Sequence, residues 1–80
     1  MEVLKIRWID SCASNMNWTL MNELGGDIDP IKIIRFGVLI QENEDCITIA
    51  QNYGENPEQC CSLITIPKGC IKERAIIETI

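Results

Sequence analysis

The stretch IKIIRFGVLIQE-NED-CITIA, residues 31–50, decides the fold class of this protein. Residues 31–42 are rich in β-branched side chains, and Gly37 interrupts them where a strongly bent strand of a small barrel accommodates a glycine. Residues 43–45 have the composition of a hairpin turn, and residues 46–50 resume as the partner strand. The stretch therefore predicts a bent β-hairpin.

Three further strands are predicted outside this hairpin. Upstream, residues 3–9 alternate, with the apolar Leu4, Ile6 and Trp8 on one face and the cations on the other. Downstream, residues 62–66 form a fourth strand, which the Pro67-Lys68-Gly69 segment ends. Residues 71–80 predict a fifth strand, although part of this segment could also wind as a helix.

The segment between the first two strands predicts a short helix. Thr19 or Asn17 can cap it over residues 20–24, and Gly25-Gly26 stops it. Five short strands with one short helix after the first strand predict a mainly β protein. We expect a small five-stranded barrel that forms a single domain over residues 1–80.

Composition indicates a chain without disulfides, metal or cofactor. The five cysteines are an odd number, and the N-terminal residues lead directly into a strand-like segment, so we expect no secretory signal and a reducing, cytoplasmic environment. The sequence has no histidine and no C-x-x-C pair, which disfavours a structural metal site. A core this small is marginal, so oligomerisation is the remaining way to stabilise it.

The charge balance excludes two classes of partner. The net charge of −5 opposes binding to double-stranded DNA and to anionic membrane surfaces. No apolar run approaches the ~20 residues that a membrane-spanning helix needs.

Two segments resemble those of Sm-like and SH3-like barrels. Residues 36–50 resemble their glycine-centred bent hairpin, and Ile66-Pro67-Lys68-Gly69-Cys70-Ile71 resembles the tight turn that joins their last two strands. The whole chain, including Trp8-Ile9-Asp10 and Trp18, also resembles a group of small bacteriophage-encoded proteins. The resemblance implies an SH3-like or Sm-like barrel and a phage origin.

The sequence departs from the RNA-binding Sm proteins in three respects. Lys68-Gly69 stands where those proteins carry an Arg-Gly pair, and their base-binding pocket has no recognisable counterpart. The predicted helix follows the first strand, which favours a generic SH3-like barrel over an Sm fold. The resemblance therefore does not imply RNA binding.

An enzyme is not expected. Histidine, the usual acid–base residue near neutral pH, is absent, and no phosphate-binding glycine loop or nucleophile elbow is present. Glu42, Glu44 and Asp45 cluster at a predicted hairpin tip, where solvated charges are ordinary.

Aromatic residues beside loops, together with strand cations, indicate a site for a small planar anion. The predicted ligand-binding residues are Trp18, Arg35, Tyr53, Arg7 and Lys68. A stacked base contributes ~1–3 kcal/mol on such a platform. The alternative is structural: Trp18 closes one mouth of the barrel, Tyr53 ends a strand, and the cations cover a solvated face.

Apolar residues on both faces of the second and last strands predict a homo-oligomer formed by pairing of the last strands. The function that we expect is a phage-encoded binding protein of the host cytoplasm. It would sequester a small nucleotide-like ligand in pockets between subunits or block a host defence component. The alternatives are an Sm-like single-stranded RNA-binding protein and a purely structural protein–protein interaction module.

Overall fold

Five antiparallel β-strands in one sheet form the body of the protein, which confirms that it is mainly β and five-stranded. The computed structural model describes residues 1–10, 20–23 and 30–80. The strands are β1 (Glu2–Asp10), β2 (Ile31–Glu42), β3 (Cys46–Glu55), β4 (Glu58–Pro67) and β5 (Ile71–Thr79). Their order is β4-β3-β2-β1-β5, so β2 is the central strand while β4 and β5 are the two edges.

The segment after the last turn is a strand, so the helical alternative is wrong. β5 pairs with β1, from Trp8 opposite Ile71 to Glu2 opposite Thr79. A single turn of 3-10 helix, Lys68–Cys70, connects β4 to β5. The predicted break at Pro67-Lys68-Gly69 is therefore in the right place.

The predicted barrel is wrong, because the sheet is not closed. Closure would require β4 to pair with β5, but β4 pairs with β3 and β5 pairs with β1. β2 pairs with β3 only from Val38 opposite Ala50 to Glu42 opposite Ile47. The β3–β4 hairpin consequently continues past the rest of the sheet and does not return toward β5.

We call this projecting hairpin, residues 51–62, the hairpin arm. Within it Gly54 pairs with Gln59 and Glu55 pairs with Glu58, in the same register as the rest of the hairpin. Residues 54–58 have the composition of a loop, but only residues 56–57 form a turn between the paired strands. The backbone pairing of two ten-residue strands outweighs the loop-forming composition of this segment.

The predicted helix over residues 20–24 is also wrong. The described part of the segment holds one 3-10 turn, Met21–Glu23, and no α-helix. Leu20 and Met21 are 64% and 82% exposed, so no apolar face packs to stabilise so short a helix. Thr19, Asn17 and Leu24 lie outside the described residues. None of the described helices is long and apolar enough to cross a membrane.

A cluster of buried apolar side chains defines the core. Its members alternate along β1 and β3, and β4 contributes one more: Leu4, Ile6, Trp8, Ile47, Ile49 and Ile66. We call the face that carries this cluster the inner face, and the opposite side of the sheet the outer face. The alternation of β1 thus predicted the core residues of this strand correctly.

Gly37 lies where β2 changes its neighbour from β1 to β3. A Cβ atom at this position would lie 2.9 Å from the carbonyl oxygen of Ala50 and 3.1 Å from the Cβ of Ile49. Only a glycine allows the two strands to approach this closely. A register shift between Leu39 and Gln41 marks the bend that follows.

Candidate functional site

The four predicted ligand-binding residues that the structure describes do not form one site. Trp18 lies outside the described residues. Arg7 is opposite Ile34 and Arg35 is opposite Ile6, so the two arginine side chains leave opposite faces of the sheet. Because side chains alternate along a strand, Arg35 lies with the core residue Ile6 on the inner face, where it is half-buried.

Tyr53 lies on the hairpin arm, where its polar group is already bonded. Its hydroxyl donates a hydrogen bond to Oε2 of Glu58 at 2.9 Å. That bond, with burial and the charges of Glu58 and Glu55, raises the pKa of Tyr53. The adjacent cavity of about 490 Å³ is lined by amide side chains, exposed thiols and Tyr53, without a cation. This arm cavity is poorly suited to an anion.

Lys68 belongs to an ion cluster that joins separate elements. Its Nζ lies 2.7 Å from Oε2 of Glu42 at the end of β2. Arg74 of β5 binds the same carboxylate in a bidentate manner, with Nη1 2.9 Å from Oε2 and Nη2 3.2 Å from Oε1. The cluster links β2, β5 and the turn between β4 and β5. The charge of Lys68 is therefore neutralised by a carboxylate of the protein itself.

This cluster makes stability depend on acid pH. The hydrogen bonds from Arg74 and Lys68 lower the pKa of Glu42 from 4.5 to about 2. Since the folded-state pKa is depressed, the stabilisation is present above pH 4.5 and is lost as the pH falls through about 2. We expect Glu42→Gln to remove this part of the acid-unfolding profile and to lower stability at neutral pH. Urea unfolding at several pH values measures it. Glu44→Gln, at the hairpin turn, is the control, and an unchanged profile for Glu42→Gln would contradict the role of the cluster.

The best-formed candidate site is a cavity of about 300 Å³ on β1, β2 and β5. Three cations line it, Arg7, Lys32 and Lys72, together with the apolar side chains of Ile9 and Ile34. We call it the cation cavity. Ile9 is opposite Lys32 and Arg7 is opposite Ile34, so these four side chains share the outer face.

The charges of this cavity are only partly used by the protein. Nε of Arg7 lies 3.2 Å from Oε2 of Glu73, which leaves the two terminal nitrogens of the guanidinium for other acceptors. Lys32 and Lys72 are exposed and have no salt-bridge partner among the described residues. No acidic residue lines the cavity. The arrangement can bind an anion that also carries an apolar part.

The described ranges contain neither a disulfide nor a group of side chains suited to a metal ion. Cys46, Cys60, Cys61 and Cys70 are free thiols, and Cys12 lies outside these ranges. No three histidine, cysteine, aspartate or glutamate side chains of the described residues could hold a metal ion together.

Sequence reasoning found one of the three cavity cations. Arg7 is among the predicted ligand-binding residues, whereas Lys32 and Lys72 are not. The β1–β2 register brings Lys32 beside Ile9, and this long-range pairing has no local signal in the sequence.

Comparison with known proteins adds no family to this picture: no family model, curated protein or solved structure matches the chain.

Proposed function

We propose that this protein is a non-enzymatic binding protein that sequesters a small, anionic, nucleotide-like ligand. The observation that carries the proposal is the cation cavity, in which three positive side chains surround an apolar floor. A phosphate group matches the cations, because charge-assisted hydrogen bonds from arginine and lysine are its usual partners in proteins. A flat or apolar portion of the ligand matches Ile9 and Ile34.

The size of the cavity and the charge of the whole chain favour a small ligand. About 300 Å³ lies at the lower end of the range for small-molecule pockets. The net charge of −5 repels a long polyanion. Local cations within an acidic protein therefore select a compact anion.

Nucleotide binding to the wild-type protein and to variants of the cavity lysines tests this proposal. We expect cyclic and linear nucleotides or ADP-ribose derivatives to raise the melting temperature, because a ligand that binds only the folded state stabilises it by mass action. Lys32→Ala and Lys72→Ala should each weaken binding about tenfold, since a hydrogen bond to a charged group contributes about 1.5 kcal/mol. Thermal shift and calorimetry at low salt measure both effects.

Arg35→Ala is the matched control for this experiment. Arg35 is on the same strand as Lys32 but on the opposite face, so its removal should leave the affinity unchanged. Equal losses in all three variants, or no shift with any of these nucleotides, would contradict binding in the cation cavity.

We also propose that the protein is a homo-oligomer. Both edge strands expose apolar side chains: Leu63 of β4 is 56% exposed, while Ile76 and Ile77 of β5 are 60% and 52% exposed. Unpaired strand edges of this kind bind further strands, and natural monomers protect them with charges or prolines. Residues 59–66 of β4 have neither, so this edge is open to β5 of a second copy, where Ile76 and Ile77 lie between Arg74 and Glu78.

The biological setting is proposed from the resemblance to phage proteins alone. In it, the protein acts in the host cytoplasm and removes a nucleotide-like signal or blocks a host defence component. Sm-like RNA binding is less favoured, because the ammonium of Lys68 in the last turn contacts Glu42. If nucleotides and oligouridine both fail to bind, a protein–protein interaction module remains.

A further inference from the structure

An exposed aromatic side chain lies beside the cation cavity on the same face. Phe36 is 54% exposed, although β2 is the central strand of the sheet. It is opposite Lys5, two cross-strand pairs beyond Arg7 and Ile34 and therefore on the same face as that pair. Phe36 is therefore on the outer face, about 7 Å along the strand from Ile34.

With Phe36 in this position, cationic and apolar side chains repeat regularly along the outer face of β1 and β2. Every second cross-strand pair faces this side, and three of them each join one cation to one apolar residue: Ile9 with Lys32, Arg7 with Ile34, and Lys5 with Phe36. Ile34 is 51% exposed, so the apolar strip continues from the cavity to the phenyl ring. Exposed large apolar side chains on a central strand indicate a binding surface rather than an edge effect.

Resting on the proposed function, we infer that Phe36 determines the ligand class of the cation cavity. The phosphate group of the ligand binds Arg7, Lys32 and Lys72. The planar ring of the same ligand stacks on Phe36. One nucleotide, with a phosphate at one end and a base at the other, can cover this short distance. The site thus distinguishes phosphates that carry an aromatic ring from sugar phosphates and inorganic phosphate, which have no aromatic ring to stack.

Three probes separate the two halves of the site: adenosine monophosphate, ribose 5-phosphate and inorganic phosphate. Stacking of one base contributes ~1–3 kcal/mol, which corresponds to roughly 5- to 150-fold in affinity. Calorimetry on the full chain should show the nucleotide binding more tightly than ribose 5-phosphate by a factor in this range. Phe36→Ala should remove the difference without changing the affinity for ribose 5-phosphate, and Phe36→Trp should restore it.

Ile31→Ala is the control, because Ile31 is on the same strand, is 48% exposed and belongs to the inner face. Equal binding of the nucleotide and ribose 5-phosphate to the wild-type protein would overturn the role of Phe36 while leaving the cation cavity intact. So would a Phe36→Ala variant that changes the oligomeric state but not the nucleotide affinity, since the outer face would then be a subunit interface. If none of the three probes binds, the proposed function and this inference both fall.

Discussion

Two variants, each blocked at one edge of the sheet, should be monomers alone and form a 1:1 dimer when mixed. Leu63→Lys places a charge on the exposed apolar part of β4, and Ile76→Lys does the same on β5. A lysine on an edge strand is a natural means of preventing strand pairing. The Leu63→Lys variant keeps an intact β5 edge, and the Ile76→Lys variant keeps an intact β4 edge. One chain of each variant can therefore form a single β4–β5 contact, with no edge left for a third chain.

This experiment separates two kinds of assembly. A contact between different edges is heterologous and leaves a free β4 and a free β5 on each growing assembly, which closes into a ring or extends. A contact between two identical edges is isologous, so one of the variants would remain a dimer by itself. Native mass spectrometry of the variants, separately and mixed, distinguishes the outcomes.

Ile31→Lys is the matched control for the edge variants. Ile31 is 48% exposed, but it belongs to the central strand, so this change should leave the wild-type oligomer intact. A monomeric wild-type protein at micromolar concentration would contradict the proposed assembly.

Ile49→Ala should cost a large part of the total stability. Ile49 is fully buried in the core cluster, and truncating such a residue costs about 2–5 kcal/mol through lost burial and the resulting cavity. A chain of this length has a total stability of about 4–12 kcal/mol, at about 0.05–0.15 kcal/mol per residue. The variant is therefore expected to lie close to unfolding at room temperature.

Urea unfolding under reducing conditions measures this loss. The experiment is best made in the Leu63→Lys background, where subunit association does not contribute to the measured free energy. Ile31→Ala is the control, since the Ile31 side chain is half exposed and its truncation should cost well under 1 kcal/mol. Equal costs for Ile31→Ala and Ile49→Ala would mean that the inner face is not the core.

The existence of the five strands could be predicted from the sequence because the signals for a strand are local. Alternation in residues 3–9 and the β-branched run at residues 31–42 depend only on near neighbours, and Gly37 marks the bend directly. Closure of a barrel depends on whether the two edge strands, β4 and β5, pair with each other, and no local pattern encodes this pairing. The helix over residues 20–24 was predicted from capping residues, without a packed face to support it.

The candidate site was harder to predict because it depends on strand register. β2 carries apolar residues on both faces, with Ile33 and Leu39 on one side and Ile34 and Phe36 on the other, so its pattern does not show which side is buried. A shift of one residue reverses every side chain, so the sequence alone does not show that Lys32, rather than Arg35, shares a face with Arg7. The pairing with β1 decides the question.

Chemical-shift mapping of the ¹⁵N-labelled full chain during titration with adenosine monophosphate tests the central claim most directly. If the cation cavity is the binding site, the perturbed backbone amides will cluster in residues 7–9 of β1, 32–36 of β2 and 71–73 of β5. The hairpin arm, with its larger cavity, will stay unchanged. Perturbations centred on residues 51–61, or none at saturating nucleotide, would contradict the account.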